Sequence, residues 1–171
     1  KREGVDFVLA VGGGSVLDSS KAIANGLANP DVDVWDFSLG KAAPARTLPK
    51  GAILTLAAAG SEMSSSCVIT NAATGEKRGY NSSFNRMNFA IENPVLTYTV
   101  NPYQTACGAV DIAMHTIECY FCPGEDTYLT DSIAEAVIKS TRKAAFDCMK
   151  NPDDYTARAN MMWASSLAHN G

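Results

Sequence analysis

The sequence predicts an α/β segment up to about residue 101 and an all-α segment after it. Three observations carry that prediction. Two short apolar runs, Phe7-Val8-Leu9-Ala10-Val11 and Ala52-Ile53-Leu54-Thr55-Leu56, have the pattern of strands buried on both faces in a parallel sheet. A glycine-rich turn at Gly12-Gly13-Gly14 joins the first run to a helical stretch. From Asn101 onward the apolar spacing is helical throughout.

The elements follow in order. Val16, Ser20, Ile23, Ala24 and Leu27 fall on one stripe and predict a helix from 16 to about 27. Ser66-Cys67-Val68-Ile69-Thr70 and residues 87–91 predict weaker strands, separated by turn-forming residues 71–75. Asn101-Pro102-Tyr103-Gln104 is a helix start: Asn caps, Pro suits the first turn, and Gln completes a capping box. A second helix is expected over 127–149, with Leu129, Ile133, Val137, Ile138, Ala144 and Cys148 as its apolar face. Asn151-Pro152 breaks it, and Asp153 or Asp154 caps a third helix toward His169.

Composition narrows the function classes. The chain has 171 residues, 46% hydrophobic and 19% charged, which excludes a disordered tail, a collagen and a coiled coil. The low charged fraction suggests surface covered by something outside the chain. A net charge of −4 without a Lys/Arg cluster argues against nucleic acid. The longest apolar run, residues 51–60, is far below the ~20 residues that span a bilayer, so no membrane partner is expected. Five cysteines without framework spacing fit a reducing cytoplasm. The start at Lys1-Arg2, without Met, suggests the interior of a longer protein.

Two constellations carry chemistry. Gly12, Gly13, Gly14 and Ser15 lie between a strand and a helix, where unpaired N–H groups and the helix dipole favour phosphate. Ser15 is a candidate cap. The run is neither a GxGxxG fingerprint nor a P-loop, and a tight turn without ligand is the alternative. Asp111 and His115, spaced i,i+4, project from one side of a helix and can share a divalent cation. Two ligands do not complete a metal site, and spacing alone favours a packed His115 hydrogen-bonded to Asp111. Cys119 and Cys122 read as two buried thiols, and His169 as a structural or solvent-facing histidine.

The ordered set is more specific than its members. Asp6 through Ser15, Asp18, Thr55 through Glu62, Glu76-Lys77-Arg78, Leu96-Thr97-Tyr98-Thr99 and Asp111-x-x-x-His115-x-x-Glu118 together resemble the iron-containing (group III) alcohol dehydrogenase family, in its butanol dehydrogenase and aldehyde reductase branch. The resemblance covers essentially the whole chain. It implies the dehydroquinate synthase-like architecture: an α/β Rossmann-related NAD(P)-binding domain, here residues 1–101 and incomplete, then an incomplete all-α metal-binding domain, residues 102–171.

By motif match, Gly12, Gly13, Gly14 and Ser15 would bind the pyrophosphate, with Asp18 supporting the turn. Thr55 and Ser64 would line the cofactor groove, Lys77 would reach the nicotinamide ribose, and Leu96 would pack near the nicotinamide. Asp111 and His115 would be the first two ligands of Fe²⁺ or Zn²⁺, with two further histidines downstream of Gly171. Ala57-Ala58-Ala59 and Glu92-Asn93-Pro94 depart from the family's usual run. The implied activity is metal-assisted hydride transfer between NAD or NADP and a short-chain alcohol or aldehyde, in a cytoplasmic homo-oligomer such as a homodimer. Glycerol dehydrogenases and dehydroquinate synthases share the fold and form one alternative. A catalytically silent nucleotide-binding or oligomerisation module is the other.

Overall fold

A computed structural model describes residues 3–124 and 126–170. Lys1 and Arg2, on which the expectation of an interrupted start rests, and Gly171 lie outside the described residues. The described residues form two compact units, one drawn from 3–54 with 61–91 and the other from 55–60 with 92–170. The first is mixed α/β and the second is helical.

In the α/β unit, β1 (Val8–Gly12) leads through the glycine turn into α1 (Gly14–Ala28), followed by the short α2 (Val34–Ser38). Strand β2 (Lys50–Leu54) lies parallel to β1, with Ala10 opposite Ala52, and β5 (Phe89–Ile91) lies parallel to β2 on its other side. The β1-β2-β5 sheet is thus all parallel. A separate antiparallel hairpin pairs β3 (Ser66–Thr70) with β4 (Lys77–Asn81). Residues 71–75 therefore turn β3 into β4, with the Gly75 amide donating to the Asn71 carbonyl, rather than leading to β5.

The parallel sheet is not buried on both faces within this chain. Ala10, Ala52 and Leu54 on one face are buried, whereas Leu9, Val11, Phe89 and Ile91 on the other are about half exposed. Alternation along each strand separates the two sets. The buried stripe of α1 also differs from the expected one. It runs through Leu17, Lys21, Ala24 and Ala28, and leaves Val16 and Ile23 exposed. The stripe includes a charged residue because Lys21 finds its partners inside, as described below.

The helical unit consists of α3 (Pro102–Tyr120), α4 (Tyr128–Lys150) and α5 (Tyr155–Asn170). The Asn101 side chain caps α3 by accepting from the Gln104 amide at 2.8 Å. Asp154 performs the same task for α5, accepting from the Ala157 amide at 2.9 Å. Ile112, Val137, Ala144, Cys148, Ala157, Met161, Ala164 and Ala168 form the shared core. On α4 the buried stripe is Ala134, Val137, Thr141, Ala144 and Cys148, and the expected Leu129 and Ile133 are exposed. Buried Arg158 ties α5 to α3 by donating to Thr105 Oγ1 at 3.0 Å, and closes the α4–α5 turn by donating to the Pro152 carbonyl at 2.9 Å.

Segment 55–60 belongs to this unit and is held by α3 and α5. A Cβ on Gly108 would stand 2.3 Å from the Ala57 carbonyl oxygen, so only glycine lets α3 lie this close to the segment. Gly60 adopts φ +58°, donates to Ser165 Oγ at 3.1 Å and accepts from Asn170 Nδ2 at 3.0 Å.

Candidate functional site

The glycine turn is built around the start of α1. The helix begins at Gly14, and Gly13 occupies the cap position with extended backbone (φ −92°, ψ −171°). No side chain caps this end, so Ser15 is not the cap: it is the second helical residue, exposed beside the helix start. The Val16 and Leu17 amides turn back to the Gly13 carbonyl at 3.0 and 3.1 Å. A Cβ on Gly14 would meet nothing within 4 Å, whereas one on Gly12 would strike the Val16 side chain at 2.7 Å. Gly12 is therefore required by packing, while Gly14 borders open space at the positive end of a 15-residue helix.

Asp18 lies one turn further along and faces inward. One carboxylate oxygen accepts from Ser61 Oγ at 2.6 Å and Lys21 Nζ at 3.1 Å; the other accepts from the Val68 amide at 3.0 Å. Lys21, fully buried, donates also to Ser61 Oγ at 2.8 Å and the Ser66 carbonyl at 2.7 Å. Burial pulls its pKa down, and the Asp18 charge partly offsets that. This network fastens the β3–β4 hairpin to α1. Cys67 beneath it is buried, which pushes its thiol up to about 11 and leaves it an inert core group.

Of the other predicted cofactor residues in this unit, Ser64 is buried and accepts from the Ser66 amide at 2.9 Å. Lys77 is exposed at the start of β4. In the helical unit, Thr55 follows directly on β2 and is half-buried. Leu96 sits exposed on a 3-10 turn over Pro94–Thr97, whose start is capped by Asn93 Oδ1 accepting from the Val95 amide at 3.1 Å.

On α3, Asp111 and His115 stand one turn apart on one side. Asp111 Oδ1 lies 3.8 Å from His115 Nε2, with side-chain exposures of 48% and 26%. That separation is too long for a hydrogen bond. It suits two ligands of one cation, each about 2.0–2.2 Å from the ion. The expected alternative, His115 hydrogen-bonded to Asp111, is not made. Among the described residues no group of three or more His, Cys, Asp and Glu side chains is placed to hold a metal.

One expectation fails here. Cys119, on the last turn of α3, and Cys122, just past its end, are exposed rather than buried. Of the two readings offered for His169, structural or solvent-facing, the packed one fits: its Nδ1 lies 3.5 Å from His115 Nδ1, with the rings edge-on at 4.8 Å between centroids. Fifty-four positions separate the two histidines, and no local spacing signals their meeting.

The family model for iron-containing alcohol dehydrogenase matches residues 1–94, and that for the C-terminal part of the Fe-containing alcohol dehydrogenase family matches residues 105–171. The chain belongs to the iron-containing alcohol dehydrogenase family.

Within that family it is 46% identical over 171 residues to NADH-dependent butanol dehydrogenase A of Clostridium acetobutylicum, covering all of this chain and 44% of the relative. It is 39% identical over 173 residues to the NADPH-dependent aldehyde reductase YqhD of Escherichia coli (strain K12), covering all of this chain and 45% of that one. The crystal structure of NADH-dependent butanol dehydrogenase A from Thermotoga maritima matches with a TM-score of 0.93 at 40% identity, over all of this chain and 42% of that chain. The chain therefore spans less than half the length of the iron-containing alcohol dehydrogenases it matches.

Proposed function

We propose that the protein carrying this chain is a metal-dependent alcohol dehydrogenase or aldehyde reductase, acting on a short-chain alcohol or aldehyde with NAD or NADP. The observation that carries the reading is the Asp111–His115 pair, 3.8 Å apart and unbonded on one side of α3. Membership of the iron-containing alcohol dehydrogenase family supports it, as do relatives named for NADH-dependent butanol dehydrogenase and NADPH-dependent aldehyde reductase activity.

Both implied groups fit the residues present. Gly14 borders open space at an uncapped helix start, as a pyrophosphate requires. A carboxylate and an imidazole suit Fe²⁺ or Zn²⁺. When bound, the nicotinamide exchanges the hydride and the cation supplies Lewis acidity toward the substrate oxygen.

The chain's own residues then divide the work. The start of α1 receives the anion through its amides, and Gly12 and Gly13 shape the turn. Ser15 offers a hydroxyl beside it. Asp18 is committed to Lys21, Ser61 and Val68, so its part is to hold the turn's surroundings rather than to touch the cofactor. Thr55 would contribute a polar group to the cofactor groove, Lys77 would reach the ribose and Leu96 would flank the nicotinamide, while Ser64, buried and accepting from the Ser66 amide, would support the groove wall. Asp111 offsets cation charge and His115 gives a neutral nitrogen. Further ligands come from outside the described residues.

The architecture we infer is that of a Rossmann-related nucleotide domain over residues 1–101 and an all-α metal domain over 102–171, with the dehydroquinate synthase-like arrangement. A cytoplasmic enzyme fits the five free thiols, and a homo-oligomer is what the family resemblance implies. Among the described residues no helix is long and apolar enough to cross a membrane. The test is metal content: in the full-length protein, His115→Ala and Asp111→Ala should each lose bound iron or zinc. Retention of the ion by either variant would overturn the assignment of that residue as a ligand.

A further inference from the structure

The contact between His115 and His169 is directional. His115 turns Nε2 toward Asp111 and Nδ1 toward His169. The nitrogen facing His169 is therefore the one that a cation on the Asp111 side does not use. An imidazole that ligates through Nε2 carries its proton on Nδ1, and that N–H needs an acceptor.

His169 is well placed to be that acceptor. It sits on the last turn of α5, between residues that fix this turn firmly. Ser165 Oγ accepts from the Gly60 amide, and Asn170 Nδ2 donates to both the Gly60 and Ser166 carbonyls at 3.0 Å. Ile112 on α3 and Ala164 and Ala168 on α5 share the same core. The imidazole of His169 is thus presented from a braced helix end, edge-on to His115.

We propose that His169 is a positioning residue: its Nδ1 accepts the Nδ1 proton of His115, fixing the tautomer and ring orientation that leave His115 Nε2 open to a divalent cation. This rests on the assignment of Asp111 and His115 as cation ligands. His169 does not itself join the ligand set, since it contacts His115 on the edge opposite Asp111. An acceptor behind a ligating histidine changes metal affinity by about 10–100-fold when lost.

The test is the zinc affinity of the full-length protein, measured by chelator competition, with the visible spectrum of the cobalt-loaded form as a second readout. Four variants are compared: His169→Leu, His169→Asn, His169→Gln and His115→Ala. The Asn side-chain amide can occupy the place of Nδ1, whereas the Gln amide reaches only toward Nε2. His169→Leu and His169→Gln should weaken zinc by about 10–100-fold and shift the cobalt bands. His169→Asn should restore both, and the metal-free forms should share one melting temperature.

Wild-type affinity in His169→Leu or His169→Gln, with zinc lost in His115→Ala, would overturn the positioning role alone. Equal weakening in Asn and Gln would overturn it too, because packing rather than an acceptor would then be at stake. Should Leu fail to fold, the Asn–Gln comparison decides by itself. Zinc retained by His115→Ala would instead remove the ligand assignment on which the role depends.

Discussion

The Asp18 carboxylate holds the ammonium of Lys21 at 3.1 Å, and the lysine side chain has no solvent exposure at all. With Ser61 and the Val68 amide, the pair fastens the β3–β4 hairpin to α1 just behind the glycine turn. Asp18→Ala would leave the buried Lys21 ammonium without its hydrogen-bonded counter-ion, with Glu62 the remaining carboxylate acting on it. We expect a loss of about 3–5 kcal/mol in the unfolding free energy of the full-length protein, read by denaturant titration. Asp18→Ala combined with Lys21→Met should recover part of that loss. A single-variant cost below about 1 kcal/mol would mean the hairpin is held by other contacts.

Lys50 gives a pH signature. Its side chain is buried under the sheet, donating to Thr47 Oγ1 at 2.9 Å and the Phe84 carbonyl at 2.6 Å. Burial, and then the nearby Lys21 charge, pulls its pKa from the usual 10.5 down to about 8. Between those values the unfolded chain binds the extra proton and the folded chain does not. Stability contributed by this group therefore rises with pH from about 8 to 10.5 and is absent below about 8. Unfolding free energies measured across that range should show the rise in wild type, and a shallower one in Lys50→Met. An equal slope in both would assign the effect elsewhere.

Two glycines should separate packing from binding. Gly108→Ala puts a methyl 2.3 Å from the Ala57 carbonyl oxygen, a backbone atom that cannot swing away. It should lower stability by about 1–3 kcal/mol, seen as a drop in melting temperature. Gly14→Ala meets nothing. It should keep the melting temperature but weaken NADH or NADPH binding about tenfold, measured by cofactor fluorescence titration. Unchanged cofactor affinity in Gly14→Ala would remove the glycine turn from the cofactor site.

What the sequence made legible was mostly local. Asn101 and Asp154 announce their helices because a cap is decided within three residues. Strands β1, β2 and β3 follow from short apolar runs. Strand β4, Lys77-Arg78-Gly79-Tyr80-Asn81, has no apolar alternation and exists through pairing with β3, so its pattern gave no signal. The stripe of α1 was hidden for a related reason: Lys21 and Asn25 are buried, and their partners Ser61, Ser66, Tyr80 and Asn85 are 40 or more positions away. At the candidate metal site, Asp111 and His115 were readable as an i,i+4 pair. His169 was not, because only the packing of α5 on α3 brings it to His115.

The ligand pair is the point on which the functional reading turns. Metal content and aldehyde-dependent oxidation of NADH or NADPH should be measured together on the full-length protein and on His115→Ala, with iron or zinc supplied. The expected result is a metal-loaded wild type that turns over a short-chain aldehyde, and a folded His115→Ala that has lost both the ion and the turnover. A His115→Ala protein that keeps its metal and its activity would contradict the assignment.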